Sequence, residues 1–226
     1  MTRKLFIFQF LVLAAALAAT TILYPHLPAR VATHWGVHGQ PNGYSSKASL
    51  FFFGPGLLVI VMLLTGLLPW LSPKHFEVDS FRSTYRHIMI YLFVMIAYLD
   101  AVMLWLASGH AIDAGRAIVG GVCLFLALIG NLLGKVRRNF YIGVRTPWTI
   151  ASERVWNSTH RFAARTLVAA GALGLLFAVL GLTSWPIFAI LAGALAPVIY
   201  SLVYYKRLER RGELGNGTKN DPGTVS

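Results

Sequence analysis

Charge is scarce in this sequence, and acidic charge is scarcest: 8 Asp and Glu stand against 20 Lys and Arg in 226 residues, and charged residues make up only 12%. Soluble domains carry roughly 25% charged residues, so this chain cannot cover its own surface with solvated groups. Cysteine is nearly missing as well. Cys123 stands alone, which excludes an intramolecular disulfide and a multi-cysteine metal site. With 56% hydrophobic residues and a mean hydropathy of +0.62, these shortages exclude a disordered chain, a disulfide-rich secreted domain and an ordinary cytosolic enzyme. The net charge of +12 has two readings. A basic excess suits nucleic acid, and it also marks the cytoplasmic loops of membrane proteins.

What the chain has in abundance is long apolar runs. A bilayer core needs roughly 20 apolar residues in helical form. Six stretches meet that length: Leu5 to Tyr24, Leu50 to Leu71, Ile88 to Ala107, Ala117 to Leu133, Ala163 to Leu182 and Pro186 to Tyr205. The first follows Arg3 and Lys4 and resembles a signal peptide, but its apolar run exceeds the usual length of about 7–15 residues, so it reads as a retained first span. Alternating sides from a cytoplasmic N-terminus places 17 of the 20 basic residues inside and only Arg30, Lys47 and Arg116 outside. That asymmetry is the positive-inside pattern. The +12 therefore records orientation, both termini are expected in the cytoplasm, and nucleic acid is not an expected partner. Trp70, Trp105, Trp148, Trp156 and Trp185 fall at or near span ends, where amphipathic rings favour the headgroup level. The expected fold is all-α: a six-helix transmembrane bundle.

Two loops are too varied to be plain connectors. The outside loop, Pro25 to Ser49, holds His26, His34 and His38, with Pro41-Asn42-Gly43 as turn chemistry. Were the segment from Arg30 helical, His34 and His38 would share a face at a spacing zinc could use. Gly36 and Gly39 weaken that helix, and no acid accompanies the histidines. A folded loop on the membrane face is the plainer expectation, with His34 and His38 as weak metal candidates and no cofactor expected. The inside loop, Asn131 to Arg165, carries seven basic residues. Thr146-Pro147 reads as a cap and first helical residue. Trp148, Ser152, Val155, Trp156, Thr159 and Phe162 then recur at helical spacing, with Arg154, Arg161 and Arg165 on another face. This predicts an interfacial amphipathic helix entering the fifth span, in contact with membrane lipids.

Within the spans Asp100 is the clearest polar intruder, and such residues are functional pointers. Arg116, on the same outer side, is its expected partner, since buried charges are paired. Cys123 reads as a small packing residue.

The two loops together resemble the SdpI-type immunity protein family. Outside, Leu27, Pro28, His34, Gly39, Pro41, Asn42, Ser46 and Lys47 carry the likeness. Inside it rests on Asn131, Gly134, Lys135, Arg137, Asn139, Gly143, Arg145, Thr146, Pro147, Trp148, Thr149, Trp156, Thr159, His160 and Arg161. Arg138 departs where such proteins commonly carry proline, and Ala163-Ala164 where glycine is usual. The resemblance implies a multi-spanning protein of the bacterial plasma membrane, with a two-span N-terminal module over 1–82 and a four-span module over 83–211. The residues after Arg211, with nothing apolar to bury, are expected to be a disordered tail over 212–226. It further implies protection against a secreted antimicrobial toxin outside and sequestration of a cytoplasmic repressor inside. The working residues expected inside are Asn131, Lys135, Arg137, Asn139, Arg145, Trp148, Glu153, Trp156, His160 and Arg161; outside they are His34, His38, Asn42 and Lys47. Transport or flipping of a small solute or anionic lipid is the alternative, through Arg145, Arg161 and Asp100. A histidine-metal membrane enzyme is a third. No catalytic constellation is evident on one side of the membrane, so no enzyme is expected.

Overall fold

In hydrocarbon a chain must satisfy its own backbone polar groups, and continuous helix does so locally. A computed structural model describes residues 3–36, 39–73 and 78–214. Among them six helices are long and apolar enough to cross a membrane. These are α1 (Arg3–Leu23), α2 (Ser49–Leu71), α3 (Arg82–Ala107), α4 (Ala114–Leu133), α6 (Glu153–Val179) and α7 (Pro186–Arg210). A short helix, α5 (Pro147–Ala151), precedes α6. Outward faces are apolar: Phe10, Ile22, Val179 and Ile199 are all exposed, as lipid-facing side chains should be. The membrane bundle expected from the sequence is therefore the observed fold, with one addition.

The addition is a β-hairpin between α1 and α2. Strand β1 (Arg30–Trp35) pairs antiparallel with β2 (Pro41–Ser46) in the register Arg30↔Ser46, Val31↔Ser45 and Ala32↔Tyr44, with irregularities beyond. The reversal comes before Pro41, not at Pro41-Asn42-Gly43: Gly36 N–H donates to Gln40 O at 2.9 Å, and Gly39 takes a φ of 74°. Proline is tolerated as the first residue of a two-stranded edge, where its missing N–H is not needed. Because Arg30–Trp35 is a strand, the helical face that would have joined His34 to His38 does not form. His34 instead bonds Asn42 Oδ1 through Nδ1 across the pair at 2.5 Å. His38 lies outside the described residues.

The hairpin is seated on the bundle. Gly39 approaches Gly115 at the start of α4 so closely that a Cβ on Gly115 would lie 3.0 Å from the Gly39 Cα. Beneath it Leu27, Val31, Leu50 and Leu104 form a small buried cluster. Lys47 anchors the hairpin's far end, donating to Tyr24 O at 2.9 Å and Leu27 O at 3.3 Å, while its ammonium lies 4.5 Å from the Tyr24 ring centre. These carbonyls follow the C-terminus of α1, where a cation is favoured. The turn from α6 to α7 reaches the same end, with Thr183 against Gly115.

The larger core sits toward the opposite end, where Leu58, Tyr85, Phe93, Leu133, Val136 and Trp156 are among the residues packed together. Tyr85 donates from its hydroxyl to Leu64 O at 2.9 Å and Thr65 O at 3.1 Å. Gln9 Nε2 donates to Thr65 Oγ1 at 3.1 Å, tying α1 to α2. Between α4 and α6 the seam is built from small residues. A Cβ at Gly171 would lie 2.6 Å from Cys123 O and 2.7 Å from Ala127 N, and one at Gly130 would lie 2.9 Å from Val168 N. Cys123, fully buried against Gly174, is a packing residue. Trp70, Trp105 and Trp185 are exposed near span ends, whereas Trp156 is wholly buried and is not an interface anchor.

The α4–α6 seam yields a direct prediction. Gly171→Ala should destabilise the bundle by about 1–3 kcal/mol, the usual cost of overpacking, read as a lower melting temperature in detergent micelles. Gly66→Ala, where a Cβ meets only the Phe6 ring tip at 3.5 Å, should leave it unchanged. Equal melting of both variants would show that the seam is not close-packed.

Candidate functional site

The segment leaving α4 at Gly134 has no regular structure until Pro147, so its backbone polar groups need other partners. Asn139 supplies them. Its buried amide donates to Arg137 O at 2.8 Å and Ile142 O at 3.1 Å, and its oxygen accepts from Tyr141 N at 2.7 Å and Ile142 N at 2.8 Å. One side chain therefore folds the loop around itself. Tyr141 carries the fold outward by donating to Leu71 O at 3.0 Å, at the end of α2.

The loop is then fastened to α6 by two rings. Trp156 donates from Nε1 to Val136 O at 2.8 Å. Its ring stacks on His160, with centroids 4.0 Å apart and planes at 20°. His160 Nε2 accepts from Val144 N–H at 3.0 Å, while Nδ1 lies 2.8 Å from Trp156 O. An acceptor at Nε2 and a carbonyl at Nδ1 together define the Nδ1–H tautomer. Gly143, with φ of 117°, fits because a side chain there would run into the His160 ring.

Thr146 and Thr149 complete the structure as a reciprocal cap. Thr149 N–H donates to Thr146 Oγ1 at 3.3 Å, and Thr146 N–H donates to Thr149 Oγ1 at 2.9 Å, with Pro147 opening α5. The expected amphipathic helix is interrupted here. Ser152 is extended (φ −133°, ψ 122°), and its hydroxyl caps the fresh start of α6 by accepting from Val155 N–H at 3.4 Å. What periodicity presented as one interfacial helix is a five-residue helix, a break and the first turns of a span. Trp148 on the short helix donates to Ser201 Oγ on α7 at 2.5 Å. Trp156 and Thr159 point into protein, not lipid.

The residues singled out inside thus divide by depth. Asn139, Trp156 and His160 are buried and hold the loop together, with Trp148 half-buried beside them. Asn131, Lys135, Arg137, Arg145, Glu153 and Arg161 are exposed. Arg145 bonds the carbonyl of Phe140, which poses it on the loop's own backbone. Arg154 pairs with Glu213 at 2.8 Å. The exposed rim therefore carries four cations, Lys135, Arg137, Arg145 and Arg161, against Glu153. Such a field steers and orients an anionic partner.

At the hairpin end, Arg30, Val31, Trp35, Tyr44, Ile112 and Asp113 help line a cleft of about 590 Å³ between the hairpin and the α3–α4 turn. The pairing expected between Asp100 and Arg116 is not formed. Arg116 Nε instead meets Asp113 at 3.0 Å, three residues away and beside the helix start, where Asp113 also accepts from Arg116 N–H. A local i,i+3 partner in the same turn competes better than a carboxylate on another helix. Ser201, Thr65 and Gln9 were not anticipated as polar partners; each is a single polar residue in an apolar run, and that is the signal that could have found them.

Six spans with a folded hairpin at one end and a hydrogen-bonded basic loop at the other define a multi-pass membrane protein. Residues 135–205, which begin with that loop, match the SdpI/YfhL protein family, and residues 11–59, which contain the hairpin, match a domain of unknown function (DUF1648). Immunity protein SdpI of Bacillus subtilis (strain 168) is 28% identical over 165 residues, covering 73% of this chain and 77% of that protein. No solved structure matches. The SdpI-type resemblance holds over most of the chain and places it in the bacterial cell membrane.

Asn139→Ala tests whether the loop is folded as described. It leaves the Tyr141 and Ile142 N–H groups unpaired at about 1–3 kcal/mol each. Tryptic cleavage after Arg145 in micelles should quicken at least about tenfold. Unchanged cleavage would mean that Asn139 does not hold the loop.

Proposed function

We propose that this chain is an immunity protein of the plasma membrane: it protects its cell from a secreted antimicrobial toxin met at the hairpin end, and its basic loop engages a cytoplasmic regulator. The carrying observation is the likeness to Immunity protein SdpI across about three quarters of both chains; the two folded ends lie in the segments that match the two family models. Orientation supports the assignment of roles. Arg30, Lys47 and Arg116, the three basic residues of the sparse side, gather at the hairpin end, and the positive-inside rule puts the loop in the cytoplasm. The reading is non-enzymatic and needs no cofactor. Binding of toxin outside and regulator inside would be coupled only through bundle states that the two ligands favour differently.

Transport of an anionic lipid is the second reading, and one observation favours it. A groove of about 420 Å³ between α3 and α4 is lined by Tyr91, Val94, Tyr98, Gly121 and Leu124, with Arg116 at its hairpin end. Tyr98 spans it, donating to Ala117 O at 2.8 Å.

Expression in toxin-sensitive cells separates the two. Immunity predicts survival at toxin doses that kill the vector control, and Arg161→Ala or Arg145→Ala should cut that survival while leaving membrane insertion intact. If killing by the relevant toxin is unchanged, the immunity reading fails. If headgroup-labelled anionic lipid then crosses proteoliposome leaflets, transport replaces it.

A further inference from the structure

Among the described residues Asp100 is the only acid in the interior of a span; Glu153 and Glu209 occupy terminal turns. Its side chain is buried, with the residue 3% exposed, and Oδ1 has no hydrogen-bond partner. The carboxylate faces a widened turn of α2. Residues Phe52–Gly56 form a π-helical turn, and a side chain at Gly54 would overlap the carboxylate. Glycine is therefore what admits the acid. Pro55 removes one amide donor from the same turn, and π-turns of this kind recur at functional sites.

Among the described residues no cation pairs with Asp100, and Lys47 at the hairpin end is held on Tyr24 O and Leu27 O. Helix α2 contains no ionisable residue, and α1 has none between Lys4 and its C-terminus at Leu23. On α3 the neighbours toward either end are Tyr98 and Trp105, with His110 beyond the helix. On α4 the ionisable groups are Arg116, held by Asp113 at 3.0 Å, and buried Cys123. A buried charge without a partner costs several kcal/mol, so positive charge must accompany this one. One helical turn nearer the hairpin, Leu104 follows Asp100 by four residues and Leu50 precedes Gly54 by four. Both belong to the buried cluster that includes Val31 of β1 and Leu27. An apolar plug carried partly by the hairpin therefore covers the acid on that side.

We propose that Asp100 and the Phe52–Gly56 turn form a binding site for a small monovalent cation, a proton or a sodium ion, beneath the hairpin. The site is independent of the immunity reading. It stands or falls on ion binding, whatever the toxin assay returns.

The test uses the full chain in lipid nanodiscs, with the near-isosteric Asp100→Asn beside it. Sodium is compared with choline at constant ionic strength, and infrared difference spectra are recorded between acid and alkaline pH. A melting temperature that climbs with each tenfold rise in sodium, and does so in the parent alone, identifies sodium. No sodium effect, together with a protonated-carboxyl band that titrates in the parent and is lost in Asp100→Asn, identifies the proton. Neither signal would overturn the site. Should Asp100→Asn fail to fold, the test moves to a carboxyl-13C aspartate-labelled chain carrying Asp79→Asn, Asp113→Asn and Asp221→Asn, in which Asp100 is the one remaining aspartate. A titrating protonated-aspartate band that shifts with the label identifies the proton, and its absence together with no sodium effect overturns the site.

Discussion

Lipid hydrocarbon offers no hydrogen-bond partner, and that constraint governs where this chain is regular and where it is not. Along the spans the helix satisfies its own backbone. Where the chain leaves helix at Gly134, satisfaction passes to side chains, and Asn139 alone engages four backbone groups. His160 and Trp156 do the same work from the adjoining helix, each engaging a backbone group of the loop. The variety of polar residues in this loop is thus largely explained by folding. Its exposed cations, Lys135, Arg137 and Arg161, are not explained in that way.

A second consequence concerns how the helices cohere. Apolar surface gains little by leaving lipid for another helix, so close backbone approach has to supply the adhesion. Gly130, Gly171 and Gly174 provide it between α4 and α6, and Gly193 does so between α7 and α6. The same device joins the hairpin to the bundle, through Gly39 and Gly115. One helix, α4, therefore meets the hairpin at its first turn and α6 along its length. The α6 helix in turn carries Trp156 and His160 beneath the basic loop.

The sequence made the spans legible because length and hydropathy are the whole signal for crossing a bilayer. It also revealed the loop, since Asn139, Thr146, Pro147 and His160 are costly residues to place in a mere tether. It misled wherever a pattern had two solutions. Apolar residues from Trp148 to Phe162 suit one long amphipathic helix, yet the capping hydroxyl of Ser152 permits a break, and tertiary contacts of Trp148 with Ser201 decide for it. His34 and His38 share a helical face only if the segment is helical, whereas Val31 and Thr33, with Gly36 and Gly39 to reverse the chain, favour a hairpin. Asp100 and Arg116 are opposite charges on the same side of the membrane, but Asp113, three residues before Arg116, already stands in the sequence as a local i,i+3 competitor and takes the guanidinium.

That last misreading changes where Asp100 stands in the bundle. Had Arg116 neutralised Asp100, the acid would be a structural strut between α3 and α4. With Arg116 retained by its own helix, the acid instead faces α2, at a turn where glycine makes room and proline withholds a donor. This turn lies within the segment that matches the domain of unknown function, as does the hairpin above it. The basic loop and its supporting rings lie in the segment that matches the SdpI/YfhL family. Asp100 belongs to neither segment and touches the first, so the contact between α3 and α2 is where a change at the hairpin could alter the rest of the bundle. An unpaired carboxylate is well suited to that position, because its charge state, unlike a packed methyl group, can take two values.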